Sequence, residues 1–273
     1  MCHGRKIGVV LLFLLLALII SAVVFCFIPV TFIKALLVLI GSFLAVNVLY
    51  LLFWAIAVLF IDTSKPIEKE SRLFHRGCVG ISSLALGYCG VRTKVFGPEK
   101  LPADGRFLLV CNHRSLFDPL ILVKYLKNSE LAFIGKPEAL NIPVIGKVGY
   151  GAGCLPIDRG NDREALKTIL TAVSYLKKGL CSMAIFPEGT RNKTEDVLLP
   201  FRAGSFKIAQ KAGVPLVVAA LKGTGSISGN MFRRITDTEL YILDVIPAEK
   251  VKETKTREMA EYCKKAIAER LVK

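Results

Sequence analysis

Two uncharged apolar runs at the start of the chain constrain its fold more than anything downstream. The first, Ile7 to Ile28, has no ionisable side chain except Cys26 and ends at Pro29. As a helix rising about 1.5 Å per residue it is about 33 Å long, enough for a hydrocarbon core. The second, Ala35 to Ile61, is interrupted only by Gly41, Ser42 and Asn47, and carries Tyr50, Trp54 and Phe60 toward its far end. Amphipathic rings suit a headgroup boundary. Only Pro29 to Lys34 connects the two. Arg5 and Lys6 precede the first run, and Lys65, Lys69, Arg72 and Arg76 follow the second. The excess of basic residues at both outer ends predicts a hairpin with its ends in the cytoplasm. A cleaved signal peptide fits less well: the apolar stretch is long, no Ala-x-Ala-like site follows, and no small-residue lipobox precedes Cys26. Residues 1–61 are therefore expected to be a retained membrane anchor. Hydropathy alone leaves open a shallower arrangement, with both helices in one leaflet.

The remainder is long enough to bury its own core. Its organisation predicts an amphipathic linker over 62–90, with a helix from Glu68 to Gly90 lying along the bilayer and His75 on its surface. An α/β domain then occupies 91–273. Strands are expected at Val91–Phe96, Phe107–Cys111, Leu131–Ile134, Cys154–Ile157, Ser182–Phe186, Val214–Leu221 and Glu239–Ile246. Helices are expected at about 119–127, from Asn161 to Gly179, at 204–212 and at 255–271. Short apolar strands separated by amphipathic helices imply a mixed sheet, parallel in its centre and flanked by helices.

The net charge of +15 could suit nucleic acid, but no recognition motif or stacking aromatic array accompanies it. Beside an apolar hairpin, an anionic lipid surface or anionic substrates are the simpler partners. Eight cysteines occur without CxxC or other metal spacing, so reduced thiols and no metal are expected.

Chemistry is concentrated after strand ends. His113 and Asp118 lie in Asn112-His113-Arg114-Ser115-Leu116-Phe117-Asp118-Pro119, after the apolar run 107–111. An imidazole with a carboxylate in reach is a general base suited to neutral pH. Asp118 before Pro119 also reads as a helix cap, and the two roles are compatible. Phe186-Pro187-Glu188-Gly189-Thr190-Arg191 follows another strand. Arg191 offers a planar fork for a phosphate, Glu188 can hold hydroxyls or orient a cation, and Gly189 permits close backbone approach. Asp158 and Arg159 end a third strand, and Lys136 follows a fourth. In a parallel sheet these loops share the carboxyl edge where ligands collect. Weaker signals are set aside. Gly149 to Gly153 precedes a strand, not a helix. Cys111 reads as core, and Ser226 lacks nucleophile-elbow spacing.

Taken in order, Asn112-His113-x4-Asp118, Gly153-x3-Ile157-Asp158-Arg159, Phe186-Pro187-Glu188-Gly189-Thr190-Arg191 and Val214-Pro215-Leu216-Val217-Val218 resemble the four blocks of glycerolipid acyltransferases. The nearest type acts on 1-acyl-sn-glycerol-3-phosphate, and the likeness covers about Val91 to Ile246. It implies that His113, assisted by Asp118, deprotonates the sn-2 hydroxyl of lysophosphatidate. The oxygen then attacks an acyl-CoA or acyl-carrier protein thioester, producing phosphatidic acid for phospholipid synthesis. By the same likeness Lys136, Arg159 and Arg191 hold the phosphate, while Glu188, Gly189 and Thr190 shape the site. No metal or cofactor is implied; the short connectors favour a bacterial cell membrane over an endomembrane. The alternatives are another acceptor (glycerol-3-phosphate, another lysophospholipid or a lyso-aminolipid), a non-catalytic lipid-binding protein, or a hydrolase.

Overall fold

The computed structural model describes residues 9–27, 31–103, 105–158 and 160–273. The apolar runs form α1 (Val9–Phe27) and α2 (Phe32–Ala57), packed side by side. Both are long and apolar enough to cross a membrane, and most of their side chains are exposed. The pair meets through Phe13 against Tyr50, ring centroids 5.3 Å apart, and through Ser21 beside Ser42.

α3 (Arg72–Tyr88) corrects the linker reading. Its N-terminus is capped by Ser71, whose hydroxyl accepts from Phe74 N–H, but the helix does not stand apart from the body. It packs on α1, and Leu86 lies in the main core. His75, expected on the surface, is buried; burial and the nearby Arg106 charge pull its pKa down to about 4. α3 meets α2 through long side chains. Gly77 meets Trp54, Gly80 meets Tyr50, and Tyr88 Oη–H donates to Asn47 Oδ1 at 2.5 Å. A Cβ on Gly77 would land on the Trp54 ring. Gly77→Leu should therefore cost about 1–3 kcal/mol by overpacking. A thermal melt in detergent together with a red shift of the single tryptophan's emission would show it, and an unchanged melt would refute the packing.

β1 (Val91–Phe96) and β2 (Leu108–Cys111) lead through a polar loop to α4 (Asp118–Tyr125), then β3 (Leu131–Gly135). Two short helices, α5 (Pro137–Leu140) and α6 (Ile145–Gly151), precede the two-residue strand β4 (Leu155–Pro156). α7 (Asp162–Lys177) begins at Asn161, whose Oδ1 accepts from Arg163 and Glu164 N–H, as its sequence predicts. β5 (Ser182–Ile185), α8 (Lys207–Ala212), β6 (Leu216–Lys222), α9 (Ile227–Asn230), β7 (Thr236–Ile246), α10 (Ala248–Glu253) and α11 (Thr256–Val272) complete the chain.

The seven strands form one sheet in the order β1-β7-β6-β2-β5-β3-β4. β6, β2, β5, β3 and β4 are mutually parallel, while β7 is antiparallel to β6 and parallel to β1. This is the mixed, centrally parallel sheet that the alternating pattern implies. The central strands read as unbroken apolar runs because both faces are covered. Leu108 and Val110 join the side built with Ala172, Phe206 and Ile267, and Leu109 and Cys111 the side built with Leu86, Ile121 and Leu122. α6 escapes the sequence pattern because three of its seven residues are glycine, poor helix formers. Contact with α3 holds it: Gly151 leaves room for Phe74 and Ile61.

Candidate active site

β2 ends at Cys111, and the next side chain fastens the strand end to its neighbour. Asn112 Nδ2–H donates to Leu221 O at 2.9 Å and Asn112 Oδ1 accepts from Leu221 N–H at 2.8 Å, extending the β2–β6 pairing through a side chain. Asn112 is buried, so either bond lost would strand a polar group. The sequence reading passed over this residue. Its signal is a polar amide between an apolar strand and a histidine, where an amide can replace a missing peptide partner.

From that fixed point the chain turns. Asp118 N–H donates to Ser115 O, folding the loop back so that Asp118 reaches residues before it. Asp118 Oδ2 accepts from His113 Nδ1 at 2.8 Å, Arg114 N–H at 2.7 Å and Ser115 N–H at 2.8 Å. Asp118 is the first residue of α4, yet its carboxylate makes no capping bond to that helix. The cap expected from the sequence is thus replaced by a clamp on the preceding loop. Asp118 is fully buried, and its Oδ1 has no partner among the described residues. A carboxylate can only accept, so the proton of a neutral His113 sits on Nδ1 and the lone pair on Nε2. The imidazole stacks on Phe186 at 4.0 Å and 12°, which sets its plane. Its side chain is 17% exposed, so a substrate can reach it.

β5 delivers the second loop beside the first, since β2 and β5 are neighbours. Gly189 N–H donates to Phe186 O in a tight turn that needs the positive φ of 78° at Gly189. Glu188 is buried, with both oxygens occupied: Oε1 accepts from His113 N–H at 2.6 Å and Oε2 from Leu199 N–H at 2.9 Å. Glu188, read from the sequence as able to hold hydroxyls, here holds the His113 peptide through one oxygen and the Leu199 N–H through the other. Asn192 N–H closes the clamp by donating to His113 O at 2.7 Å. Burial pushes the Glu188 carboxyl above its ordinary range, against the pull of these N–H donors and the nearby His113 and Arg114.

The remaining candidates line the same edge. Thr190 is exposed and Arg191 half-buried in the loop after β5, and Lys136 is exposed immediately after β3. Neither Lys136 nor Arg191 has a carboxylate partner among the described residues. With strands about 4.8 Å apart, Lys136 starts two strands, or about 10 Å, from the histidine strand. Arg159 lies outside the described residues; Asp158 beside it accepts from Gly160 N–H in a turn after β4. Among the described residues no group of His, Cys, Asp or Glu could hold a metal ion. Cys111 is fully buried, and burial with the Asp118 and Glu188 charges raises its thiol pKa, so it is a poor thiolate.

The edge thus offers a buried carboxylate, an oriented imidazole and two cations one or two strands away. Comparison with known proteins places the chain among acyltransferases. The family described as Acyltransferase matches residues 92–222. The 1-acyl-sn-glycerol-3-phosphate acyltransferase of Salmonella typhimurium is 31% identical over 185 residues, which are 67% of this chain and 74% of that protein. The Escherichia coli enzyme of that name is 28% identical over 185 residues, with the same coverage. The crystal structure of the 1-acyl-sn-glycerophosphate (LPA) acyltransferase from Thermotoga maritima superposes with a TM-score of 0.63 over 82% of this chain and 89% of that one. At 23% identity that likeness speaks to the fold.

Proposed function

The chain belongs to the 1-acyl-sn-glycerol-3-phosphate acyltransferase family, and from that premise we propose that it acylates the sn-2 hydroxyl of lysophosphatidate from acyl-CoA or acyl-carrier protein at a membrane surface. It is an O-acyltransferase of phospholipid synthesis. The observation that carries the mechanism is the His113 Nδ1–Asp118 Oδ2 bond of 2.8 Å at the carboxyl end of β2. His113 Nε2 takes the hydroxyl proton as the substrate oxygen attacks the thioester carbonyl, and Asp118 stabilises the imidazolium that forms. The tetrahedral intermediate then collapses. Its C–S bond breaks, the thiolate takes the proton from Nε2, and phosphatidate and free thiol leave without an acyl-enzyme. Arg191, Lys136 and Arg159 receive the acceptor phosphate, and Gly189 and Thr190 border the glycerol.

The anchor supports a site that faces lipid. The C-terminal end of α3, where Gly87 lies against Val10 of α1 and Tyr88 reaches Asn47 of α2, delivers the chain to the start of β1. Val91 pairs with Thr236, which lies at the β6 end nearest Lys222, so β1 begins at the carboxyl edge of the parallel strands. The His113 edge therefore lies on the side of the sheet where α3 meets α1 and α2. A hairpin with its basic flanks on the cytoplasmic side fits that placement. Exposed Leu116, in the loop after β2, and Ile142 and Ile145, between α5 and the start of α6, fit a lipid-facing rim.

Purified protein in detergent, given lysophosphatidate and either acyl-CoA or acyl-carrier protein, should release thiol and form phosphatidate in equal amounts. Thiol release at the same rate without lysophosphatidate would mean a hydrolase, and turnover only on a phosphate-free acceptor would remove the role given to Arg191 and Lys136.

A further inference from the structure

The loop between α9 and β7 is absorbed neither by the fold nor by the chemistry above. Phe232 is 76% exposed and holds φ of 63°, a left-handed conformation that aromatic L-residues rarely adopt. Asn230 imposes it. Its carbonyl accepts from Arg233 N–H and Arg234 N–H, its Nδ2–H donates to Thr236 Oγ1, and its Oδ1 accepts from Arg234 Nε–H. The result is a fixed turn that displays Phe232, Ile235 and two exposed arginines together. Neither arginine forms an ion pair among the described residues.

The loop's place in the fold points to its partner. It follows β6, the strand that Asn112 fastens to the His113 loop, so it flanks the site on the side away from β5. It returns to the body through Thr236 N–H donating to Gly90 O. Gly90 is two residues past Tyr88, which bonds Asn47 of α2, and three past Gly87, which lies against Val10 of α1. An exposed aromatic residue, an exposed aliphatic one and two cations, continuous with the apolar helices, match an interface of acyl chains below anionic headgroups.

We infer that the Met231–Ile235 loop is a second bilayer contact, with Phe232 seated among acyl chains and Arg233 and Arg234 on lipid phosphates. It steadies the body so that the carboxyl edge bearing His113 faces the lipid from which the acceptor comes. This rests on the reading that α1 and α2 lie in a bilayer, and the test separates the two.

The full chain is reconstituted in phosphatidylcholine vesicles with or without phosphatidylglycerol. Flotation with the vesicles reports the hairpin. Phe232→Trp reports the loop, read as the difference from the Trp54-only protein, and Ile235→Trp serves as a second reporter. Blue-shifted emission, quenched by lipids brominated near the carbonyl end and more strongly with phosphatidylglycerol, is expected. Arg233→Gln should weaken the docked state about fivefold, the worth of one basic residue at an anionic surface. A protein that does not float loses the bilayer reading itself. Protein that floats while both reporters keep water-like, unquenched emission overturns the loop contact. Quenching indifferent to phosphatidylglycerol and to Arg233→Gln overturns the role of the arginines, and quenching relieved only by an acidic carrier protein would give the loop to that partner instead.

Discussion

His113→Ala should lower acyl transfer by on the order of 10²–10⁴-fold while leaving the fold intact. The histidine side chain is 17% exposed, and what fixes its loop belongs to the backbone and to other residues. Glu188 and Asn192 hold the His113 peptide, and Asp118 keeps its bonds to Arg114 and Ser115 N–H when the imidazole is gone. The thermal midpoint in detergent should therefore move little, and the Michaelis constant for lysophosphatidate should stay close to wild type, because the cations assigned to the phosphate are untouched. Asp118→Asn should cost a similar factor by a different route. An amide placed against His113 can donate to Nδ1, which would move the lone pair away from Nε2 and reverse the tautomer. It also faces the buried N–H groups of Arg114 and Ser115, so this variant, unlike His113→Ala, should melt lower. Thiol release measured against time with saturating lysophosphatidate decides both. His113→Ala retaining more than about a tenth of wild-type turnover, below the range expected of a general base, would sink the assignment.

How much of this was legible in the sequence follows from which signals are local. The central strands were, because a strand covered on both faces is an uninterrupted apolar run, as in Phe107 to Cys111. The His113 loop was legible as a place for chemistry because it follows such a run. α7 announced itself through Asn161 at one end and Gly179 at the other. α3 was misplaced for a physical reason. Its amphipathic pattern says that one face is covered, and bilayer and protein core produce the same pattern. Only the partners decide, and they lie far along the chain: Trp54 on one side, the core around Leu86 on the other. His75 was misplaced with it. Glu188 shows the same limit at the site. A glutamate after a strand end looks available for substrate, and nothing nearby reveals that the N–H groups of His113 and Leu199 take both its oxygens. Phe186 was read as the end of a strand, and its stacking on His113 depends on β2 and β5 being neighbours.

Those two bonds make Glu188 the most informative residue to change. If Glu188 held a substrate hydroxyl, Glu188→Gln would raise the Michaelis constant and leave the melt alone. The geometry predicts the reverse. The substituted amide can accept from only one of the two backbone N–H groups and must point its own N–H₂ at the other, inside the protein. A buried donor left facing a donor costs about 1–3 kcal/mol, so the melting temperature should fall. The peptide of His113 loses one side of its clamp, and misplacement of a general base by about 1 Å costs on the order of 10²-fold. Turnover should therefore drop by roughly one to two orders of magnitude, with both Michaelis constants near wild type. Acid should act on the activity of the wild type as the amide acts on that of the variant, but not on its stability. Because burial raises the folded pKa of Glu188, the folded chain takes up this proton at a higher pH than the unfolded one. Between the raised pKa and the ordinary value near 4.5, the native state binds more protons, so this group alone favours folding more as the pH falls. Activity should move oppositely, since a protonated carboxyl can no longer accept from both loops. A pH series should show wild-type turnover falling through that window with no loss of stability from this group. Glu188→Gln, already lacking the second acceptor, should lack that component of the fall. An unchanged melt with a raised Michaelis constant in Glu188→Gln would return the residue to the substrate and leave the His113 peptide to Asn192 alone.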